Sequence, residues 1–322
     1  MKSLNVINYF LKSGVHKMLF ENLSGPLRVS IRLSDSQNNI ESQYIQDICN
    51  SMKLMRVNII TMQIYDPNAY PLIFEFIKLL DCKIHKILSV QNTNFTENLL
   101  DRLRESGLDT MALVLRITSL EDIQNKLQEL KNSVKLCVDG GIKTSIVVPL
   151  NSGVLTELDS ILAILKDINV EKLSFSPPEI NTDGISSETV LDAYTLINAF
   201  NMGKPVIIQD PLASKITGQD YGPTFFPSCP AGRSMLHIET DGTVYPCTRL
   251  KVSCGNIKER ALHDIWKDSE GLKQIRSLRN GETCSKCEHI SNCLGGCKAR
   301  LYKLNQDMKL PDPLCWHVHK GV

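Results

Sequence analysis

Short apolar runs and helix-period patterns alternate along the first two thirds of the chain. Runs rich in Val, Ile and Leu fall at 27–33, 57–63, 83–90, 110–117, 143–149 and 172–176, each of strand length. Between them, stretches near 40–54, 69–80, 96–106, 120–138 and 153–167 carry apolar residues three and four apart, the period of a helix with one buried face. In the 120–138 stretch Leu120, Ile123, Leu127, Leu130 and Val134 make the stripe, and Thr118-x-x-Glu121 ahead of it reads as a capping box. Strict strand–helix alternation predicts right-handed βαβ units and a parallel sheet. Six such strands point to an α/β fold, a partial (β/α)6 barrel of the TIM type, although spacing alone also admits an open sheet.

The pattern changes at both ends. Leu4, Ile7, Phe10, Leu11, Val15, Met18 and Leu19 form one apolar stripe, read as an N-terminal helix over 1–24 packed on its own domain. After Pro177-Pro178 a further helix is expected at 187–200 and a short strand at 206–209. From 210 to 228 the chain is rich in Pro, Gly and Ser and loses periodicity. The expected division is a barrel region over 25–210 and a C-terminal region over 211–322.

Charge narrows the function little. The formal net charge is +1 and no run of five basic residues occurs, so nothing steers the chain toward nucleic acid or anionic lipid. The first twenty residues lack the pattern of a secretory signal, and no stretch approaches the roughly 18 apolar residues of a membrane span. The expected location is the cytoplasm, with no membrane span.

Cysteine changes the picture more. There are 11, and eight of them fall between 229 and 315. In a reducing compartment this favours thiolate–metal ligation over a disulfide framework. Cys284-x2-Cys287-x5-Cys293-x3-Cys297 lets one turn present several thiolates, with Gly295-Gly296 allowing close approach of the backbone. Cys229 and Cys247 flank an expected hairpin whose two-residue tip is Asp241-Gly242, and Cys315 follows. Seven thiolates exceed the ligand set of one four-coordinate metal and imply two centres. On spacing alone, zinc and iron–sulfur clusters stand equally open. Cys49, Cys82 and Cys137 show no ligand spacing and read as buried apolar thiols.

The segment resembles the SPASM domain of radical-SAM enzymes, where SAM is S-adenosylmethionine. Cys229, twelve residues, Gly242, four residues and Cys247 fit its pattern, as do the CX2CX5CX3C run and the last cysteine. So do the flanking Cys229-Pro230-Ala231-Gly232, Pro246-Cys247, Gly255-Asn256-Ile257, Asp264-Ile265-Trp266, Gly295-Gly296-Cys297 and Asp312-Pro313. The resemblance covers roughly 95 residues and favours iron over zinc. It implies two [4Fe-4S] clusters, one on Cys284, Cys287, Cys293 and Cys315, the other, nearer the barrel, on Cys229, Cys247 and Cys297. The second has three assigned ligands. Cys254 is the candidate fourth; otherwise the iron keeps an open position and Cys254 is a small buried residue. His289, His317 and His319 read as surface or packing histidines.

The same resemblance exposes two losses. Radical-SAM enzymes carry CX3CX2C directly after the first barrel strand, and here Ser34-Asp35-Ser36-Gln37-Asn38-Asn39-Ile40 contains no cysteine. Their Gly-Gly-Glu-Pro at the end of the second strand is replaced by Ile64-Tyr65-Asp66-Pro67, whose bulky side chains obstruct an approach to SAM. The barrel reads as a degenerate radical-SAM domain, SAM is not expected as a cofactor, and no catalytic residue is assigned. The expected role is a partner of an active radical-SAM protein that modifies a precursor peptide, relaying electrons or holding the peptide. The alternatives are a stand-alone enzyme acting at an open cluster iron, and a structural peptide-binding module.

Overall fold

The computed structural model describes residues 23–34, 42–179, 184–217 and 229–318. Strand β1 (Arg28–Arg32) is followed by α1 (Ser42–Leu54), β2 (Ile59–Ile64), α2 (Leu72–Leu79), β3 (His85–Val90), α3 (Glu97–Glu105), β4 (Thr110–Val114), α4 (Leu120–Asp139), β5 (Lys143–Pro149), α5 (Leu158–Lys166), β6 (Lys172–Ser176), α6 (Ser187–Ala199) and β7 (Val206–Ile208). The C-terminal region adds β8 (Met235–Ile238), β9 (Thr243–Tyr245), β10 (Gly255–Asn256), α7 (Leu262–Asp268), α8 (Glu270–Ser277) and α9 (Lys298–Lys303). Most of the expected N-terminal helix lies outside the described residues, as does His319.

β1 to β7 are parallel neighbours in sequence order. A singly wound order with right-handed crossovers places the helices on one face. Val29, Ile31, Ile60, Met62, Leu88, Met111, Leu113, Ile146, Val148, Leu173 and Phe175 are buried on that face with the helix residues Phe76, Leu103, Ile123 and Ile161. The alternate positions mix short polar, charged and apolar side chains. Ser30 pairs with Thr61, and Ala112 lies between Ser89 and Ser145. The face away from the helices is the concave interior of a partial barrel and carries polar groups among apolar ones. The short strand expected at 206–209 is Val206–Ile208, and it joins the sheet parallel beside β6, giving seven parallel strands where a six-stranded barrel was expected.

The C-terminal region continues this sheet. β8 pairs parallel to the free side of β1, with Ser30 opposite His237, and β9 and β10 extend it antiparallel. The hairpin loop is longer than its sequence implied. Glu239 N donates to Thr243 O, and Gly242 N to Glu239 O, both at 2.9 Å. That leaves Thr240-Asp241-Gly242 as a three-residue loop with Gly242 at φ +90°, the left-handed position that closes such a turn.

Two local expectations shift. The cap of α4 is Ser119, whose Oγ accepts from Asp122 N at 3.1 Å, while the Asp122 carboxylate accepts from Thr118 N at 3.0 Å; the box sits one residue later than Thr118-x-x-Glu121. The single helix expected over 153–167 is broken at Glu157 into Ser152–Thr156 and α5. The freed Glu157 carboxylate accepts from Leu120 N at 2.6 Å and so also caps α4. Among the described residues no helix is long and apolar enough to cross a membrane.

Candidate metal centre

The hairpin brings the segments bearing Cys229 and Cys247 together. Gly232 N donates to Pro246 O at 3.0 Å, tying the turn after Cys229 to the residue before Cys247. Backbone N–H groups are aimed at both sulfurs. Leu250 N donates to Cys247 Sγ at 3.3 Å, Arg249 N also points at Cys247, and Ala231 N points at Cys229. Such donors favour sulfur as an anion, the state in which it binds metal.

Cys297 stands at the N-terminus of α9. The turn before it needs its glycines: Gly295 and Gly296 both sit at φ +79°. A Cβ on Gly296 would lie 2.3 Å from the Asp312 Cβ. Cys284 lies in the short helix Glu282–Ser285 and Cys293 ends another at Ile290–Cys293. Cys287 N donates to Cys284 O at 3.1 Å, and Cys315 N to Asp312 O at 2.8 Å.

Electrostatics divides the seven thiols into two groups. Burial pushes the Cys229 thiol up to about 12, and Cys297 and Cys247 push it in the same direction. Cys247 is raised by burial and then by Cys297. Cys284 is raised by burial; Lys298 opposes that, while Cys293, Cys315 and Cys287 reinforce it. Cys229, Cys247 and Cys297 thus share one field, and Cys284, Cys287, Cys293 and Cys315 another. Burial and the neighbouring sulfurs oppose ionisation of Cys229, Cys247 and Cys284, a conflict that a bound cationic centre relieves. Sulfur donors with N–H groups directed at them suit an iron–sulfur cluster. Among the described residues no three His, Cys, Asp or Glu side chains converge tightly enough to hold a single metal ion.

Cys254 is not brought to either group. It is buried, its Sγ donates to Val252 O at 3.4 Å, and it lies 3.4 Å from the Cβ position of Gly271 on α8. Burial pushes its thiol up to about 11, and the groups acting on it are Ser269 and Arg276 rather than the other cysteines. Cys49 and Cys137 are buried as expected. Cys82 is exposed, because it falls in the turn after α2 rather than on a core face. All 11 cysteines are free thiols. The rings of His289 and His317 lie against each other, 4.5 Å between centroids.

A buried ionic cluster anchors the cysteine region to the barrel. Arg300, 2% exposed, pairs through one nitrogen with Asp210 and through the other with Asp312 at 2.6 Å. Tyr194 on α6 donates to Asp210 Oδ2 at 2.7 Å. The Arg300 guanidinium holds the Asp210 carboxyl below its usual range. These residues escaped the sequence reading. Only the Asp312-Pro313 dipeptide carried a signal, since charge pairing across 90 residues leaves no local pattern.

Most of the segment where a radical-SAM cluster motif would stand, residues 35–41, lies outside the described residues. At the end of β2, Ile64 is buried in the core and Tyr65 is 68% exposed. Asp66 turns inward on its own loop: Oδ1 accepts from Asn68 N at 2.8 Å and Oδ2 from Asn92 Nδ2 at 2.9 Å. The Tyr65 carbonyl accepts from Asn92 N at 2.9 Å.

Residues 229–288 match the SPASM family, an iron–sulfur cluster-binding domain. The AdoMet-dependent heme synthase of Nitratidesulfovibrio vulgaris is 35% identical over 88 residues, 27% of this chain and 24% of that protein. The mycofactocin maturase MftC of Mycolicibacterium smegmatis is 32% identical over 91 residues, 27% of this chain and 23% of that protein. The matched region thus spans about a quarter of each relative. Over nearly the whole chain the fold is that of Streptococcus suis SuiB bound to S-adenosylmethionine, with a TM-score of 0.66 at 19% identity, covering 94% of this chain and 78% of that one. Native anSMEcpe with bound AdoMet gives a TM-score of 0.66 at 16% identity, covering 92% and 95%. Residues 229–288 thus carry an iron–sulfur cluster-binding SPASM segment, set on a partial barrel whose fold is that of SuiB and anSMEcpe.

Proposed function

We propose that the chain holds two [4Fe-4S] clusters, one on Cys229, Cys247 and Cys297 and one on Cys284, Cys287, Cys293 and Cys315. In this reading it does not cleave SAM itself and works in the cytoplasm beside an active radical-SAM peptide maturase. The observation that carries it is the joining of cysteine-bearing segments: the turn after Cys229 is tied to Pro246 beside Cys247, and Asp312 holds both Cys297 and Cys315. Each bound cluster supplies one-electron redox chemistry; the chain supplies thiolates, N–H donors to sulfur and a buried seat. The absence of CX3CX2C from the sequence supports the loss of SAM cleavage. A peptide partner is supported by SuiB, solved with its precursor peptide SuiA, and by MftC, named as a maturase. On the concave wall the part-buried Thr61, Gln63 and Ser89 offer such a peptide hydrogen-bonding groups.

Anaerobic purification should yield about eight iron and eight sulfide per chain, as two [4Fe-4S] clusters require. With reductant and SAM the isolated protein should form no 5′-deoxyadenosine, and it should co-purify with a neighbouring protein that carries CX3CX2C. Zinc in place of iron, or deoxyadenosine formation, sinks the reading.

The position of Cys254 favours a second reading. With that thiol turned to α8, the cluster nearer the barrel has three cysteine ligands and one iron open to a substrate thiol or amine, a Lewis-acid site. A small thiol added to the reduced protein would then change the paramagnetic spectrum of one cluster only. An unaltered spectrum at saturating thiol excludes it.

A further inference from the structure

Lys298 directly follows Cys297 and opens α9. It is 7% exposed, yet its ammonium is hydrogen-bonded only to neutral oxygens. Nζ donates to Asn280 Oδ1 at 3.0 Å, to Gly295 O at 3.3 Å and to Leu310 O at 3.4 Å. Three N–H groups meet three uncharged acceptors, so hydrogen bonding is saturated while the charge stays uncompensated. The pocket is closed around it: a Cβ on Gly295 would lie 2.7 Å from Nζ and 2.4 Å from Asn280 Oδ1. The nearby carboxylate, Asp312, is already engaged by Arg300 and by the Cys297 N–H.

A buried ammonium without a counter-charge is costly. Lys298 follows Cys297 of one thiol group, and the Gly295 carbonyl that its Nζ bonds lies two residues after Cys293 of the other. One buried cation is therefore seated between the segments that carry both.

We propose that Lys298 is a shared electrostatic regulator of the two clusters, a fixed positive charge that raises both reduction potentials together. The inference rests on the two-cluster reading. A thiolate-bound cluster becomes more negative when it gains an electron, so its attraction to a neighbouring cation grows on reduction. With one cation acting on both centres, neither potential moves without the other, which suits a pair that passes electrons between them.

The test is a potentiometric titration of the anaerobically purified holoprotein, followed by electron paramagnetic resonance. Lys298→Met keeps the length of the side chain and removes its charge. It should lower both midpoints, each by at least a tenfold fall in the reduced-to-oxidised ratio at fixed potential, or 59 mV for one electron. Lys298→Arg keeps the charge and should hold both midpoints near the wild-type values. Asn280→Asp leaves Lys298 in place and sets a carboxylate against its ammonium, so it should shift both midpoints the same way as Lys298→Met.

Unchanged midpoints in the iron-loaded Met variant, or a shift in one midpoint alone, overturn the proposal. If the Met variant loses iron, the Asn280→Asp titration decides by the same criterion. Loss of iron from both variants assigns Lys298 a purely structural role and also overturns it. Iron and sulfide counts on the wild-type protein come first, and a cluster-free wild type sinks the two-cluster reading instead.

Discussion

Asp312 Oδ2 accepts the backbone N–H of Cys297 at 2.7 Å. The same residue receives Cys315 N on its carbonyl at 2.8 Å. One side chain and one peptide group thereby fix a cysteine from each thiol group. The Asp312 carboxylate also closes the ionic cluster with Arg300, which reaches back to Asp210 beyond the last barrel strand. Alignment of the thiols and attachment of the cysteine region to the barrel depend on the same few atoms.

Replacing Asp312 with Ala should therefore do two things. It leaves Arg300 half-paired in the interior, a change that typically costs about 3–5 kcal/mol, and it frees the turn that holds Cys297. A large drop in the thermal midpoint should accompany loss of iron from both clusters. If calorimetry and iron counts show an Ala variant that is stable and fully loaded, Asp312 does not organise the site.

Much of the barrel is legible in the sequence because period-2 and period-3.6 patterns are local. β5 and β6 follow directly from the apolar runs at 143–149 and 172–176. What was not legible depends on partners far along the chain. Nothing near Glu157 announces that its carboxylate caps a helix starting 37 residues earlier, and that break divided the predicted helix. The pairing of β8 with β1 spans about 200 residues, so the sequence suggested two regions where one sheet runs through. The candidate ligands Cys284, Cys287, Cys293 and Cys297 stand out in the sequence because their close spacing is that of short turns. The orientation of Cys254 does not, since it depends on how α8 packs beneath it.

Replacing Cys254 with Ala should leave iron content, sulfide content and the visible spectrum unchanged, because its thiol faces Ser269 and Gly271. The expected cost is in packing alone, on the order of 1 kcal/mol. Cys247→Ala should lose one cluster under the same conditions. Bleaching of the Cys254→Ala spectrum would assign that thiol to the metal.

The three scattered cysteines should differ in reactivity. Cys82 is exposed and should be alkylated by a maleimide in the folded protein within minutes. Burial pushes the thiols of Cys49 and Cys137 up to about 12, so both remain protonated, inaccessible and unmodified until the chain unfolds. Peptide mass mapping after a timed pulse distinguishes them; labelling of Cys137 at the rate of Cys82 would contradict the fold around α4.

The last prediction concerns the joint between β1 and β8. His237 is fully buried there, with Nδ1 at 2.9 Å from Ser30 Oγ and Nε2 at 3.3 Å from Glu239 Oε1. Burial lowers its pKa; Glu239 pulls the other way, and Lys251 and Arg32 add to the lowering. A histidine held below its unfolded value of about 6.5 binds its proton more readily when unfolded. Its contribution to stability is thus complete above about pH 6.5 and declines as the pH falls toward the lower folded value. For one proton the slope is at most about 1.4 kcal/mol per pH unit. Anaerobic denaturant titrations at pH 7.5 and 5.5 should show the wild type losing more stability than His237→Gln, which cannot titrate. Equal losses in the two proteins would mean that the ring binds its proton equally well folded and unfolded, and that the β1–β8 joint tolerates a buried cation.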